Sequence, residues 1–181
     1  MKTFVYIDGF NLYYGCLKGT PYRWLDIAAL CRHLLPTHDI QKLHYFTARI
    51  TARPNDPEQP MRQQTYLRAL RTLPDMEISF GFFLSHDVLM PLADAAAAGK
   101  MAVVTRTEEK GSDVNLASHL LMDAFDNAYD CAVLITNDSD LVVPVRYVRE
   151  RFGKRDSVPT RAFHRFLSRD RRDGCDCKAC D

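Results

Sequence analysis

Two carboxylates stand two residues apart in Thr136-Asn137-Asp138-Ser139-Asp140, directly after the apolar run Cys131-Ala132-Val133-Leu134-Ile135. Such a run of β-branched and apolar residues reads as a strand buried on both faces. The stretch from Leu141 to Arg151 reads as a helix. The acids therefore fall where a buried strand ends and a helix begins. In open parallel sheets, ligand sites form beyond that end of the strands. Two carboxylates on one such turn can converge on a hard divalent cation, Mg²⁺ or Mn²⁺, which prefers oxygen ligands. A single Asp there also makes a good helix cap. Recurrence separates the two roles.

The arrangement does recur. Phe4-Val5-Tyr6-Ile7 is a short apolar strand closed by Asp8-Gly9-Phe10-Asn11. Gly9 allows a tight turn there and Asn11 suits a helix start. Further on, Lys110-Gly111-Ser112 is a turn leading into a helix from Asp113 to Phe125, whose buried stripe is Leu116, Leu120 and Ala124. Asp113 lies in its first turn, where the helix dipole favours a carboxylate. If these strands are neighbours, Asp8, Asp113, Asp138 and Asp140 meet at one sheet edge. They would repel one another and hold their protons more tightly unless a cation sat among them. Ions held in this way activate water and stabilise a leaving oxygen in phosphodiester hydrolysis. Asn11 and Thr136, with Asn137 and Ser139, offer neutral groups to orient water or substrate. Lys110 can meet a phosphate or balance the acids.

The remaining segments alternate between the two periodicities. Residues 24–35 and 61–73 read as helices, and 40–48, 76–84 and 101–107 as strands. Three prolines make 53–60 a loop. Residues 85–100 read as an insertion of weak pattern. Alternating strands and helices predict an α/β chain with a mainly parallel sheet and helices on both faces. Length fits one domain: 181 residues are enough for a full core. The net charge is +1 and shows no general bias toward polyanions. Residues 1–150 carry 15 Lys+Arg against 18 Asp+Glu, net −3, whereas 151–181 carry 9 against 5, net +4. A basic tail of this kind helps hold a polyanion. No apolar run approaches the roughly 18 residues that span a bilayer, and the N-terminus lacks the apolar length of a signal peptide. The reading is a cytoplasmic protein without membrane contact, with Cys16, Cys31 and Cys131 as reduced thiols.

Taken in order, Tyr6-Ile7-Asp8-Gly9-Phe10-Asn11-Leu12, Lys110-Gly111-Ser112-Asp113-Val114 and Ile135-Thr136-Asn137-Asp138-Ser139-Asp140-Leu141 resemble the NYN domain. That domain is a branch of the PIN-like nucleases, grouped with the LabA-like proteins. The resemblance covers residues 3–153. It implies a Rossmann-like three-layer α/β/α sandwich and, in active members, a metal-dependent endoribonuclease acting on single-stranded or structured RNA. Asp8, Asp113, Asp138 and Asp140 match its acidic Mg²⁺ or Mn²⁺ positions, and Asn11 its polar position after the first strand. It also suggests a homodimer. Its family includes binding or regulatory modules with little or no turnover, which is the alternative function.

The chain departs from that pattern after Lys154-Arg155, where an apolar strand is expected and Asp156-Ser157-Val158-Pro159 stands instead. Hence the expected division is a domain over 1–153 and a basic, Cys-containing, poorly ordered tail over 154–181, as an altered or frameshifted terminus would give. Cys175, Cys177 and Cys180 supply three thiolates, one short of a structural zinc set unless His164 joins them. A haloacid-dehalogenase-type phosphohydrolase needs an Asp two residues after Asp8, where Phe10 stands. A von Willebrand-type adhesion site needs serines that Gly9-Phe10-Asn11-Leu12 does not supply. The histidines are scattered, and His119 reads as structural. Tyr13, Tyr14 and Tyr22 read as core more readily than as base-stacking platforms.

Overall fold

The computed structural model describes residues 1–93 and 99–157. The strands are β1 (Lys2–Asp8), β2 (Asp39–Ala48), β3 (Met76–Pro91), β4 (Met101–Lys110), β5 (Cys131–Ile135) and β6 (Arg155–Ser157). The helices are α1 (Gly9–Leu12), α2 (Ile27–Leu34), α3 (Gln59–Leu70), α4 (Ser112–Phe125) and α5 (Val142–Phe152). A wide π-helical turn, Tyr13–Leu17, continues α1, and a 3₁₀ turn, Ser139–Leu141, precedes α5. The six strands form one sheet in the order β4-β3-β2-β1-β5-β6. All neighbours are parallel except β3 and β4. This is the mainly parallel α/β sheet that the alternation predicts.

Two-residue periodicity divides the central strands between two cores. Val5 and Ile7 of β1, Leu43 and Tyr45 of β2, and Val133 and Ile135 of β5 pack with Leu12, Ile27, Leu30, Leu67 and Leu70. The alternate residues Phe4, Tyr6, Phe46, Ala132 and Leu134 pack with Leu116, Leu120, Leu141 and Val148. Both faces of β1 and β5 are thus buried, which is why these strands read as unbroken apolar runs. The chain moves from β1 outward through β2 to β3, then returns to place β5 on the other side of β1. The β1/β5 boundary is the point where strand order reverses, and a crevice opens there beyond the carboxyl ends.

Several boundaries differ from the sequence reading. Helix α2 starts at Ile27 because the Asp26 carboxylate caps it, accepting from Ala29 N–H at 2.9 Å. Trp24 therefore precedes the helix. Helix α3 takes in Gln59 and Pro60, a proline being well placed in a first turn. The expected insertion over 85–100 is instead, in its first part, β3 continuing to Pro91. It forms a long hairpin with β4, in register from Phe82↔Lys110 to Pro91↔Met101. Most of this arm is exposed on both faces, so no buried side imposes an alternating pattern. Polar cross-strand pairs brace it, Ser85 with Thr107 at 2.8 Å and Thr105 with Asp87 at 2.7 Å. Residues Arg155–Ser157, placed in the tail by the sequence reading, add an edge strand beside β5. The cysteine cluster from Cys175 and its partner candidate His164 lie outside the described residues. No described helix is long and apolar enough to cross a membrane.

The base of the hairpin meets the start of α4 closely. A Cβ on Gly81 would run into the Lys110 carbonyl and sit 3.0 Å from Ser112 N. Gly111 itself has φ +94°, a left-handed conformation that favours glycine. Replacing Gly81 by Ala is expected to cost about 1–3 kcal/mol in urea unfolding, the usual range for overpacking. Gly15, whose Cβ would meet nothing within 4 Å, gives the control. Equal unfolding midpoints for G81A and G15A would contradict the close packing at this corner.

Candidate functional site

Three segments meet at the crevice between β1 and β5. Asp8 closes β1 and is itself the cap of α1, with Asn11 N–H donating to its Oδ1 at 2.9 Å. Its other oxygen, Oδ2, accepts from Thr136 Oγ1 at 3.3 Å, at the end of β5. Thr136 Oγ1 in turn accepts from Asp138 N–H at 3.1 Å, and Asp138 Oδ1 accepts from Asp140 N–H at 2.9 Å. Asn11 Oδ1 accepts from Asn137 N–H at 3.0 Å. A network of short-range bonds thus sews the ends of β1 and β5 together through the residues singled out by sequence. Gly9 is required here by space rather than by turn geometry: a Cβ would stand 2.6 Å from the Tyr45 ring.

Electrostatics bring in the third segment. Asp113, in the first turn of α4, has its carboxyl pushed up to about 6. Burial is the main cause, followed by the charges of Asp8, Asp138, Glu109 and Asp140. The Asp8 carboxyl is also raised, chiefly by burial and further by Glu109, although bonds from Asn11 and Thr136 oppose the shift. Asp8, Asp113, Asp138 and Asp140 therefore share one field. Among the described residues, no three of these carboxylates bring ligand atoms within 4.8 Å of one another. Like charges spread apart, and Mg²⁺ takes few carboxylates directly while keeping several waters. An all-oxygen donor set that repels itself fits a hard cation of this kind.

Sequence reasoning passed over Glu109. Neighbours on a strand point to opposite faces, so Glu108 and Glu109 part company at the end of β4. Glu108 pairs with Lys110 Nζ at 2.8 Å. Glu109 turns inward, accepts from Ser112 N–H at 3.2 Å and adds its charge to Asp8 and Asp113. Lys110 is thus engaged with Glu108. Ser139 and Asn137 are exposed on the rim. The tyrosines also differ from expectation. Tyr13 packs against the core, but Tyr14 and Tyr22 are exposed. Tyr13, Tyr14, Trp24, Tyr45 and Tyr66 line a cavity that reaches Gly9, the neighbour of Asp8, with Arg62 at its wall.

A second group lies deeper along α4. His44, His119 and Asp123 bring one ligand atom each within 4.8 Å of the others, a set able to hold a metal ion. His119, read from sequence as structural, lies against the rings of His44 and Phe46, with centroids 5.2 and 5.5 Å away.

The raised Asp113 carboxyl has a consequence for stability. An ordinary Asp titrates near about 3.9, so at this group the folded chain binds more protons than the unfolded chain between about 4 and 6. The associated stability is complete below the lower value and is lost as pH rises through the upper one. Without divalent cations, the melting temperature is expected to fall between pH 5 and pH 7.5, and more steeply than in Asp113→Asn. Solvent screening softens the slope, because the residue as a whole is exposed although its carboxyl is partly desolvated. An identical pH profile for the variant would contradict the shared field.

Comparison with known proteins now bears on this site. The NYN domain profile matches residues 2–176, which includes most of the segment set aside above as a tail. One curated relative, 6-hydroxy-3-succinoylpyridine 3-monooxygenase HspA of Pseudomonas putida, is 34% identical over 199 aligned positions. The alignment covers 94% of this chain, and the chain spans only 63% of that relative's length. A crystal structure of a protein of unknown function from Vibrio parahaemolyticus is 19% identical, with a TM-score of 0.48 over 86% of this chain and 78% of that one. The profile spans nearly the whole chain, including all three acidic motifs, and the chain belongs to the NYN domain family, within the PIN-like superfamily.

Proposed function

We propose that this chain is a metal-dependent endoribonuclease, a Rossmann-like three-layer α/β/α domain that hydrolyses RNA phosphodiester bonds at the β1/β5 crevice. The observation that carries this reading is the common field of Asp8, Asp113, Asp138 and Asp140, with Glu109, at the carboxyl ends of the sheet. Mg²⁺ or Mn²⁺ bound there would supply activated water and charge stabilisation for the leaving oxygen. Asp8 and Asp138 are the ligands that the hydrogen-bond network holds in place, through Asn11, Thr136 and Asp140. Asp113 and Glu109 add their negative charge to the same crevice. Asn137 and Ser139, exposed on the rim, would orient the phosphate or the attacking water. The surface around α5 offers Arg146 and Arg149 beside Asp138, positive charge for the RNA backbone. The exposed apolar residues of the hairpin, Leu89 and Val103 among them, support a homodimer.

A second reading draws on the aromatic cavity next to Asp8. The Pseudomonas relative carries the name of a monooxygenase acting on a substituted pyridine, a single planar ring. A cavity lined by tyrosines and Trp24 would accept one ring by stacking, whether a nucleobase or a small aromatic acid. Trp24 is the only tryptophan in the chain, so its fluorescence reports on the cavity directly.

Two measurements test these readings. Purified protein should cleave a labelled single-stranded RNA with Mn²⁺ or Mg²⁺ and not with EDTA. Asp138→Asn keeps an oxygen for the Asp140 N–H and so should remain folded. It is expected to lose more than the roughly ten- to hundredfold that follows loss of an outer-shell partner. Cleavage that persists in EDTA or in D138N would sink the nuclease mechanism. For the cavity, mononucleotides are expected to quench Trp24 more strongly than a hydroxypyridine carboxylate does. Saturable quenching by the pyridine alone, with intact RNA, would favour the second reading.

A further inference from the structure

Helix α4 carries His119 and Asp123 four residues apart, which places them on one face. That face meets His44 in the middle of β2. His44 is fully buried, its imidazole stacked on the Tyr6 ring at 5.0 Å. Its Nε2 stands 3.3 Å from Asp123 Oδ2, and its Nδ1 stands 3.7 Å from Glu77 Oε2. Neither nitrogen makes an in-line hydrogen bond. A buried imidazole left in this state is uncommon and calls for a partner.

The surrounding groups have the form of an outer coordination shell. Tyr6 O–H donates to Asp123 Oδ2 at 2.7 Å. Glu77 faces His44 Nδ1 and is itself held by Lys42 Nζ at 2.8 Å. Histidines that ligate metals commonly turn their other ring nitrogen to a carboxylate, and ligating carboxylates are themselves hydrogen-bonded.

We propose that His44, His119 and Asp123 form a second cation site, for a borderline divalent transition-metal ion of the Zn²⁺ type, with His44 bound through Nε2. Two imidazoles and one carboxylate suit such an ion, whereas Mg²⁺ and Ca²⁺ prefer oxygen alone. A water completes the usual four ligands. The site lies about 15 Å from Asp113 by the rise of α4 between residues 113 and 123. Its ion cross-links β2 to α4, the helix whose first turn carries Asp113, and so braces the crevice from behind. The inference stands whether or not the chain cleaves RNA. Without metal, His44 Nε2 simply faces the Asp123 carboxylate at 3.3 Å, and the test separates the two.

The untagged full chain, stripped by chelator, is titrated with Co²⁺ by visible absorption and with Zn²⁺ by melting. The expected result is an intense visible band that Zn²⁺ displaces, and a rise in melting temperature with Zn²⁺. His119→Ala removes both while its metal-free melting temperature stays close to that of the parent, because His119 is only half-buried. Glu77→Gln, on a side chain 44% exposed, weakens Zn²⁺ by about tenfold, and it reads the site if H119A does not fold. Asp138→Asn keeps the band. Absence of the band and of the Zn²⁺ shift overturns the proposal. So does a band that H119A and E77Q leave unchanged, or one lost only when Cys175, Cys177 and Cys180 become Ser.

Discussion

Carboxylates crowded at one end of a parallel sheet repel one another, and the region around the β1/β5 crevice is built to hold them there regardless. Asp8 stays in place because its two oxygens satisfy Asn11 N–H and Thr136 O–H. Asp138 stays because it caps the 3₁₀ turn that begins α5. Asp113 has no such compensation, and its carboxyl absorbs the strain as a raised affinity for protons. Simple structural caps do not need to face one another. Here the charges of Asp8, Asp138, Asp140 and Glu109 all reach Asp113, a repulsion that the proposed divalent cation would relieve.

The fold supplies the meeting point through strand order alone. Because β5 lies beside β1 while β2 lies on its other side, loops leaving β1 and β5 diverge to opposite faces and leave a gap. Helix α4 joins this edge to the middle of the sheet. Its first turn carries Asp113, and its later turns carry Leu116 and Leu120 into the core and His119 and Asp123 onto His44. One helix therefore contributes to both proposed sites, Asp113 from its first turn and His119 with Asp123 from its later turns.

Much of this was legible in the sequence where burial leaves a pattern. The strands ending at Asp8 and at Thr136 are buried on both faces, so their limits and the acids beyond them stand out. The hairpin was not legible, because residues such as Leu89 and Val103 face solvent and no buried face orders them. Glu109 was passed over, since choosing between it and Glu108 requires the register of β4. The trio of His44, His119 and Asp123 pairs a strand with a helix seventy-five residues away, and only the spacing of His119 and Asp123 hinted at it. Tyr14 and Tyr22 seemed core-like by residue type, yet the wide turn at Tyr13–Leu17 and the late start of α2 leave them exposed.

The most direct test of the central claim is a crystal structure grown with Mn²⁺, read by anomalous difference density. The account predicts a peak between Asp8, Asp113 and Asp138, with the three carboxylates drawn closer than they stand without an ion. Saturating Mn²⁺ with no peak in the crevice would show that these acids do not make a cation site, and would contradict the account.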